Sequence, residues 1–339
     1  MAATLHDVAR LAGVSIKTVS NVVNDSAPVR EQTRARVLAA ISQLDYRPNL
    51  TARSLRSGTT GVIGLAVPEL RLSYFAELAD SVMKAAEKRG LTVLIEQTNG
   101  DRERELEMLR SPSRRFTDGL IFSVLGMGNE DAEFLRVDYP LVILGERVFH
   151  GPADHVTMRN VEAARAATEH LLGLGRRRIA VIGAHEGEII GSAGLRFAGY
   201  REALDAASVP FDPRLVGYTT LWHRSNGAEA MRALLDSGVE FDAVFAFNDT
   251  LALGAMRVIQ EAGLVVPRDV AVMGFDNLDE TAYSIPTLST VDPGREEIAE
   301  RAVEVLQERI RERSRNGASL AAPREIETAF RIVGRESTV

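Results

Sequence analysis

Seven residues within ten positions near the N-terminus carry side chains suited to nucleic acid. Ser15, Thr18, Ser20 and Asn24 offer short hydrogen-bonding groups of the size that reaches phosphate oxygens. Ile16, Lys17 and Asn21 fall on the side opposite Val19, Val22 and Val23, so they are expected to point away from a valine core face. A helix buried in a bundle would not expose so many small donors on one side.

Three short helices must position this set. Thr4 and Asp7 form a T-x-x-D pattern that caps a first helix, with Leu5, Val8, Ala9 and Ala12 on one face. Gly13 supplies the tight turn, because glycine tolerates positive φ. Ser15 then caps a second helix over 16–23, which Asn24 ends. After a loop at 25–30, a third helix is expected over 31–44, with Val37, Leu38, Ile41 and Leu44 facing the core. Two helices joined by a glycine turn and braced by a third make a helix-turn-helix, here an all-α headpiece over 1–48.

Charge supports the same division. The chain of 339 residues has a net charge of -7, yet residues 1–57 carry eight Lys and Arg against four acids. A head of +4 therefore sits on a body of -11, the footprint expected if only the head touches phosphate. Pro48 stops the third helix by excluding helical geometry at Arg47. Residues 50–57 form a stretch that could be helical but is too short to be so alone in water. A hinge and linker is read over 49–60.

From residue 61 to 339 the pattern changes. Short apolar runs at 62–67, 92–96, 119–123, 141–144, 178–182, 243–247 and 270–274 alternate with amphipathic stretches. That alternation implies parallel sheets covered on both faces, with ligands held beyond the carboxyl ends of the strands. No apolar run reaches the ~18 residues of a spanning helix, and no basic-then-apolar secretory leader opens the chain, so the expected location is the cytoplasm. Cysteine is absent, which excludes disulfides and thiolate metal sites. The six histidines lack H-x-x-x-H spacing, and His150 and His155 are expected in a solvated loop. Neither phosphate-cradling glycine motif is present. No catalytic residues, metal or cofactor are expected, and an enzyme is not the reading.

The segments T-L-H-D-V-A-R-L-A-G-V-S-I-K-T-V-S-N-V-V-N from Thr4 and V-R-E-Q-T-R-A-R-V-L-A-A-I-S-Q-L-D-Y-R-P-N from Val29 resemble the headpiece of the LacI/GalR family of bacterial transcriptional regulators. In the body, H-L-L-G-L-G-R-R-R-I-A-V-I-G at 170–183, R-F-A-G-Y at 196–200, F-N-D-T-L-A-L-G-A-M-R at 247–257 and V-P-R-D-V-A-V-M-G-F-D at 266–276 resemble that family's effector domain, which is periplasmic-binding-protein-like of type I. The resemblance implies a headpiece followed by an α/β domain of two parallel-sheet lobes. One lobe would comprise 61–159 and 292–323; the other would comprise 160–291 and 324–335, with a last strand near 325–332.

Roles follow from the same resemblance. Ile16, Lys17 and Asn21 match the base-reading positions in the major groove, where they suit a thymine methyl, guanine O6/N7 and adenine respectively. Leu55 matches a leucine that wedges into the minor groove from a hinge helix ordered on DNA, and Ala52 and Arg53 match its neighbours. Arg196 matches an effector clamp, and Asn248 and Asp276 are expected to hold a polyol bidentately. Tyr74, Phe75 and Trp222 match pocket aromatics, with Ser123 adding a hydroxyl. Where many relatives carry an aspartate, this chain has Gly145-Glu146-Arg147, which removes one expected carboxylate or replaces it with a longer one. The implied function is a homodimeric repressor on a pseudo-palindromic operator, controlled by a carbohydrate-like effector. A nucleobase corepressor or a protein partner is the alternative.

Overall fold

The computed structural model describes residues 3–24, 27–46, 59–316 and 321–339. The chain divides into two compact units, Met1–Thr60 and Gly61–Val339.

The first unit contains α1 (Leu5–Ala12), α2 (Ile16–Asn24) and α3 (Glu31–Gln43). Thr4 and Asp7 form a reciprocal capping box at the start of α1, and Gly13 ends it at φ 64°. The core is Val8, Ala9 and Ala12 of α1, Val19 and Val22 of α2, and Val37 and Ala40 of α3, closed by Tyr46. Leu38, expected in that core, is instead 50% exposed. Val37, Ala40, Ile41 and Leu44 hold the i, i+3, i+4, i+7 stripe, and Leu38 lies a further ~100° around the helix.

The second unit comprises two lobes. The first is built on a six-stranded sheet in the order β11-β5-β4-β3-β1-β2, all parallel. Its strands are β1 (Val62–Val67), β2 (Thr92–Gln97), β3 (Leu120–Ser123), β4 (Leu141–Leu144), β5 (Asp154–Met158) and β11 (Glu325–Thr328). Successive residues feed opposite cores: Ile121, Val142 and Leu144 face one side, where α4 (Ser73–Glu87) and α10 (Arg295–Asn316) pack. Leu120, Phe122 and Ile143 face the other, beside α5 (Arg102–Leu109).

The second lobe is built on the parallel order β7-β6-β8-β9, from β6 (Ile179–Ala184), β7 (Val216–Tyr218), β8 (Ala243–Ala246) and β9 (Ala271–Met273). Helices α6 (Asn160–Gly173) and α7 (Ser192–Ala206) pack together, as do α8 (Arg224–Asp236) and α9 (Asp249–Glu261). At Gly199 of α7 a Cβ would stand 2.1 Å from the Val161 carbonyl oxygen, so only glycine allows this helix approach. The chain crosses between lobes after β5, after β10 (Thr290–Asp292) and after β11; β10 pairs antiparallel with β12 (Arg331–Val333).

Two expectations are corrected here. The last strand, expected over 325–332 in the second lobe, is two strands: Glu325–Thr328 extends the first lobe's sheet beside β5, and only Arg331–Val333 returns to β10. Alternating polar and apolar residues suit either sheet edge, so the pattern carried no choice between them. His155 lies in β5, 1% exposed, with Nε2 2.6 Å from Gly145 O. The strand shows no apolar run in the sequence because its polar residues are satisfied internally; Arg309 donates to Asp154 through Nε and Nη2 at 2.6 and 2.9 Å. His150 is exposed, as expected of a solvated loop.

Candidate functional site

In the first unit, Ser15 stands at the entrance to α2: its Oγ accepts from Thr18 N at 3.1 Å and lies 2.9 Å from Thr18 Oγ1. Both hydroxyls are thus held at one helix end. Lys17 is exposed, and Thr18, Ser20 and Asn21 are half-buried. Ile16 does not stand clear of the core, as expected, but packs half-buried against it. In the first turn of α2 a side chain leans back toward the preceding glycine turn. His6 and Arg10 of α1 join Ser15 and Ile16 around a shallow concavity; neither was singled out from sequence. Asn24 is the last residue of α2, its side chain outside the described residues, where Ala52, Arg53 and Leu55 also lie.

In the second unit, the carboxyl ends of both sheets face one cleft of about 190 Å³. All seven residues matched to effector binding line it: Tyr74, Phe75 and Ser123 from the first lobe, Arg196, Trp222, Asn248 and Asp276 from the second. These positions span more than 200 residues of sequence, and folding brings them together.

Arg196 projects from α7 and is 2% exposed. Its Nε donates to Asn160 Oδ1 at 2.8 Å, and Nη1 donates to the Phe247 carbonyl. The guanidinium lies over the Phe275 ring at 3.6 Å and faces Trp222 at 5.2 Å. Stacking and hydrogen bonding fix its plane, so Nη2 is aimed 3.8 Å from Asp276 Oδ1. Trp222 is held in turn by Nε1 donating to Gly183 O at 2.9 Å.

Asp276 follows β9 at φ 118°, a conformation that L side chains rarely adopt and that recurs where a side chain is held for function. Its backbone is pinned by Val291 O, at 2.8 Å from Asp276 N, and by Arg295 Nη1, at 3.0 Å from Asp276 O. Burial pushes its carboxyl up to about 7, against the pull of Arg196 and Arg295 and with a further push from Glu146 and Glu77. Burial and Asp276 likewise raise Asp249 behind it, which accepts from Thr290 Oγ1 at 2.5 Å. Burial, then Asp276 and Glu146, raises the Tyr74 phenol.

Asn248 differs from expectation. Its Oδ1 accepts from Leu251 N at 2.7 Å, capping α9, and its Nδ2 donates to Trp222 O at 3.3 Å. The amide oxygen is committed to the helix, so the bidentate grip expected of Asn248 reduces to a donated hydrogen. Glu146 supplies what the sequence left open. It is 5% exposed and lines the cleft, accepting from Thr157 Oγ1 at 3.3 Å and from Ser192 Oγ at 2.5 Å. The departure at Gly145-Glu146-Arg147 is therefore a replacement carboxylate, legible in advance only as an acid after a strand. Among the described residues no group of three His, Asp or Glu side chains is placed to hold a metal.

A helix-turn-helix unit and a two-lobed unit with an enclosed cleft, in one chain, define a DNA-binding regulator that responds to a small molecule. Residues 4–49 match the family of bacterial regulatory proteins of the lacI type, and residues 168–338 match a periplasmic binding protein-like domain. The HTH-type transcriptional repressor PurR of Vibrio atlanticus (strain LGP32) is 32% identical over 313 residues, covering 92% of this chain and 93% of that protein. A LacI-family regulator from Sanguibacter keddieii is 54% identical, with TM-score 0.76, over 82% of this chain and 98% of that one. The regulator CelR in complex with cellobiose is 30% identical, with TM-score 0.72, over 99% of each chain. The lac repressor dimer bound to operator and the anti-inducer ONPF is 27% identical, with TM-score 0.82, over the full length of both chains. The chain belongs to the LacI family. It is a DNA-binding transcriptional regulator controlled by a small-molecule effector.

Proposed function

We propose that this regulator is a homodimeric repressor whose operator affinity is set by a polyol bound in the cleft of the second unit. The observation that carries the reading is the convergence of Arg196, Asp276 and Glu146, all buried, on one cavity walled by Tyr74, Phe75 and Trp222. Carboxylates accept from sugar hydroxyls, the fixed guanidinium donates to them, and aromatic faces cover the apolar face of a ring. The cellobiose complex of CelR shows that a relative of this fold takes a sugar.

On the DNA side, Ile16, Lys17 and Asn21 read bases, while Ser15, Thr18, Ser20 and Asn24 contact phosphates. Ala52, Arg53 and Leu55 enter the minor groove. Two copies engage the halves of a pseudo-palindrome, as symmetry requires of a dimer. The effector changes the relation of the lobes and, through it, the ordering of the hinge segments on DNA. The protein works in the cytoplasm, beside DNA, and catalyses no reaction; among the described residues no helix is long and apolar enough to cross a membrane.

Selection of bound duplexes from a random pool tests the reading. An enriched inverted repeat, whose binding is lost when a sugar that stabilises the protein is added, is the expected result. Enrichment of no motif would overturn the DNA assignment, and a motif insensitive to every stabilising ligand would overturn the effector assignment.

A second reading has one observation behind it. The similarity to PurR repressors covers nearly the whole chain, and a nucleobase could lie flat against the same aromatics. A nucleobase that strengthens rather than weakens operator binding would decide for it.

A further inference from the structure

The effector cleft is arranged against anions. Among the described residues that line it are four carboxylates, Glu69, Glu146, Glu188 and Asp276, and two guanidiniums, Arg147 and Arg196. Both guanidiniums already serve the protein. Arg147 donates from Nε to Leu125 O at 2.9 Å and faces Glu188 Oε2 at 3.4 Å. Arg196 is bound to Asn160 and Phe247 and faces Asp276. Each imidazole in the wall has one nitrogen matched to a carboxylate: His185 Nδ1 lies 2.9 Å from Glu188 Oε2, and His223 Nε2 lies 3.3 Å from Glu69 Oε2. The second nitrogen of His185, Nε2, is buried without a partner; with the Nδ1 hydrogen given to Glu188 it is the ring's acceptor and offers an anion nothing.

The helix starts at the cleft are partly taken in the same way. The start of α7 faces the cleft through Ser192 and Ala193, and a helix start is the feature that would ordinarily draw a phosphate. Here the chain's own carboxylates occupy it. Gly194 N donates to Glu188 Oε1 at 3.4 Å, and Ser192 Oγ donates to Glu146 Oε2 at 2.5 Å. At the start of α9 the Asn248 amide oxygen takes the Leu251 N–H.

The geometry points to a charge filter: the cleft admits an uncharged polyol and rejects phosphorylated sugars, sugar acids and nucleotides. This inference rests on the cleft being the effector site. An incoming anion would compete with Glu146 and Glu188 for donors they already hold, and would sit beside the buried carboxyls of Glu146 and Asp276. It would also drive a proton onto Asp276 and so remove the acceptor a hydroxyl needs. An uncharged polyol meets none of these costs; its hydroxyls donate to Asp276 and Glu146 and accept from the Arg196 Nη2 hydrogens.

Calorimetric titration of the full chain with matched pairs tests the filter: glucose with glucose 6-phosphate and glucuronate, ribose with ribose 5-phosphate, cellobiose with cellobionate, adenosine with AMP. The uncharged member that binds is expected to do so with an affinity on the order of a hundredfold above its anionic partner. The gap should shrink about tenfold in Glu188→Gln, which keeps the side chain's shape and removes its charge. An anionic member that binds as tightly as its uncharged partner overturns the filter and leaves the cleft as the effector site. A panel in which no member binds overturns the effector reading, and the filter with it.

Discussion

The hydroxyl of Ser192 donates to the carboxylate of Glu146 at 2.5 Å, tying the first turn of α7 in one lobe to the residues just after β4 in the other. Because Glu146 also accepts from Thr157, one side chain links the lobes and presents an acceptor to the cleft. Glu146→Ala removes both functions. Effector affinity should fall at least tenfold, and the lobes should close less fully, measured by calorimetry and by small-angle scattering with and without effector. Unchanged affinity would remove Glu146 from the site.

Arg196→Ala should abolish the operator's response to effector while specific DNA binding persists, as read by gel shift with and without ligand. The substitution also strands Asn160 Oδ1 and the Phe247 carbonyl in a buried place, so a stability loss of about 2–4 kcal/mol accompanies it. If the variant still answers to effector, the clamp assignment is wrong.

The raised Asp276 carboxyl should make the second unit sensitive to pH between about 4 and about 7. Its folded value of about 7 lies above the ordinary 3.8, so between these limits the folded protein binds more protons than the unfolded chain. Its contribution to stability therefore declines as pH rises from about 4 to about 7 and is level above that. Asp276→Asn should flatten this slope in denaturation measured across the range. A polyol that donates to the carboxylate favours the ionised form, so effector affinity should increase from pH 6 to pH 8 with release of a proton. Titrations in buffers of different ionisation enthalpy would detect that proton.

Thr4→Ala breaks the capping box of α1 and should cost the headpiece about 1 kcal/mol, seen as a lower melting temperature of that unit. Lys17→Gln should alter the preferred operator sequence, read by repeating the duplex selection, because a bidentate donor to guanine is exchanged for one suited to adenine. Overall weakening with an unchanged motif would mark Lys17 as a phosphate contact instead.

Leu55→Ala tests the wedge at a position outside the described residues. Specific operator affinity should drop while the circular dichroism of the headpiece is retained, and DNA bending should decrease in a permutation assay. Full affinity and full bending would end the wedge assignment.

The sequence by itself determined the headpiece helices, most of the body's strands and the family. A Thr-x-x-Asp cap, a glycine turn and valines at helical spacing leave a short chain few choices, and those signals are local. Apolar runs alternating with amphipathic stretches likewise dictated two covered parallel sheets. The tertiary structure alone decided questions whose answer lies in a distant partner. Ala40 rather than Leu38 fills the head core because the neighbouring helices fix which stripe of α3 turns inward. β11 joins β5 at the edge of one sheet, where Asp154 accepts from Arg324 N at 3.0 Å across 170 positions of sequence. Asn248 gave its amide oxygen to the N–H three residues on in the helix it caps, a competition visible only once the helix is placed. Glu146, an acid after a strand in the sequence, became the link between lobes when folding set Ser192 of α7 against it, 46 positions away. Hydrogen-bond partners and burial are properties of the folded chain, and they turn a residue type into a role.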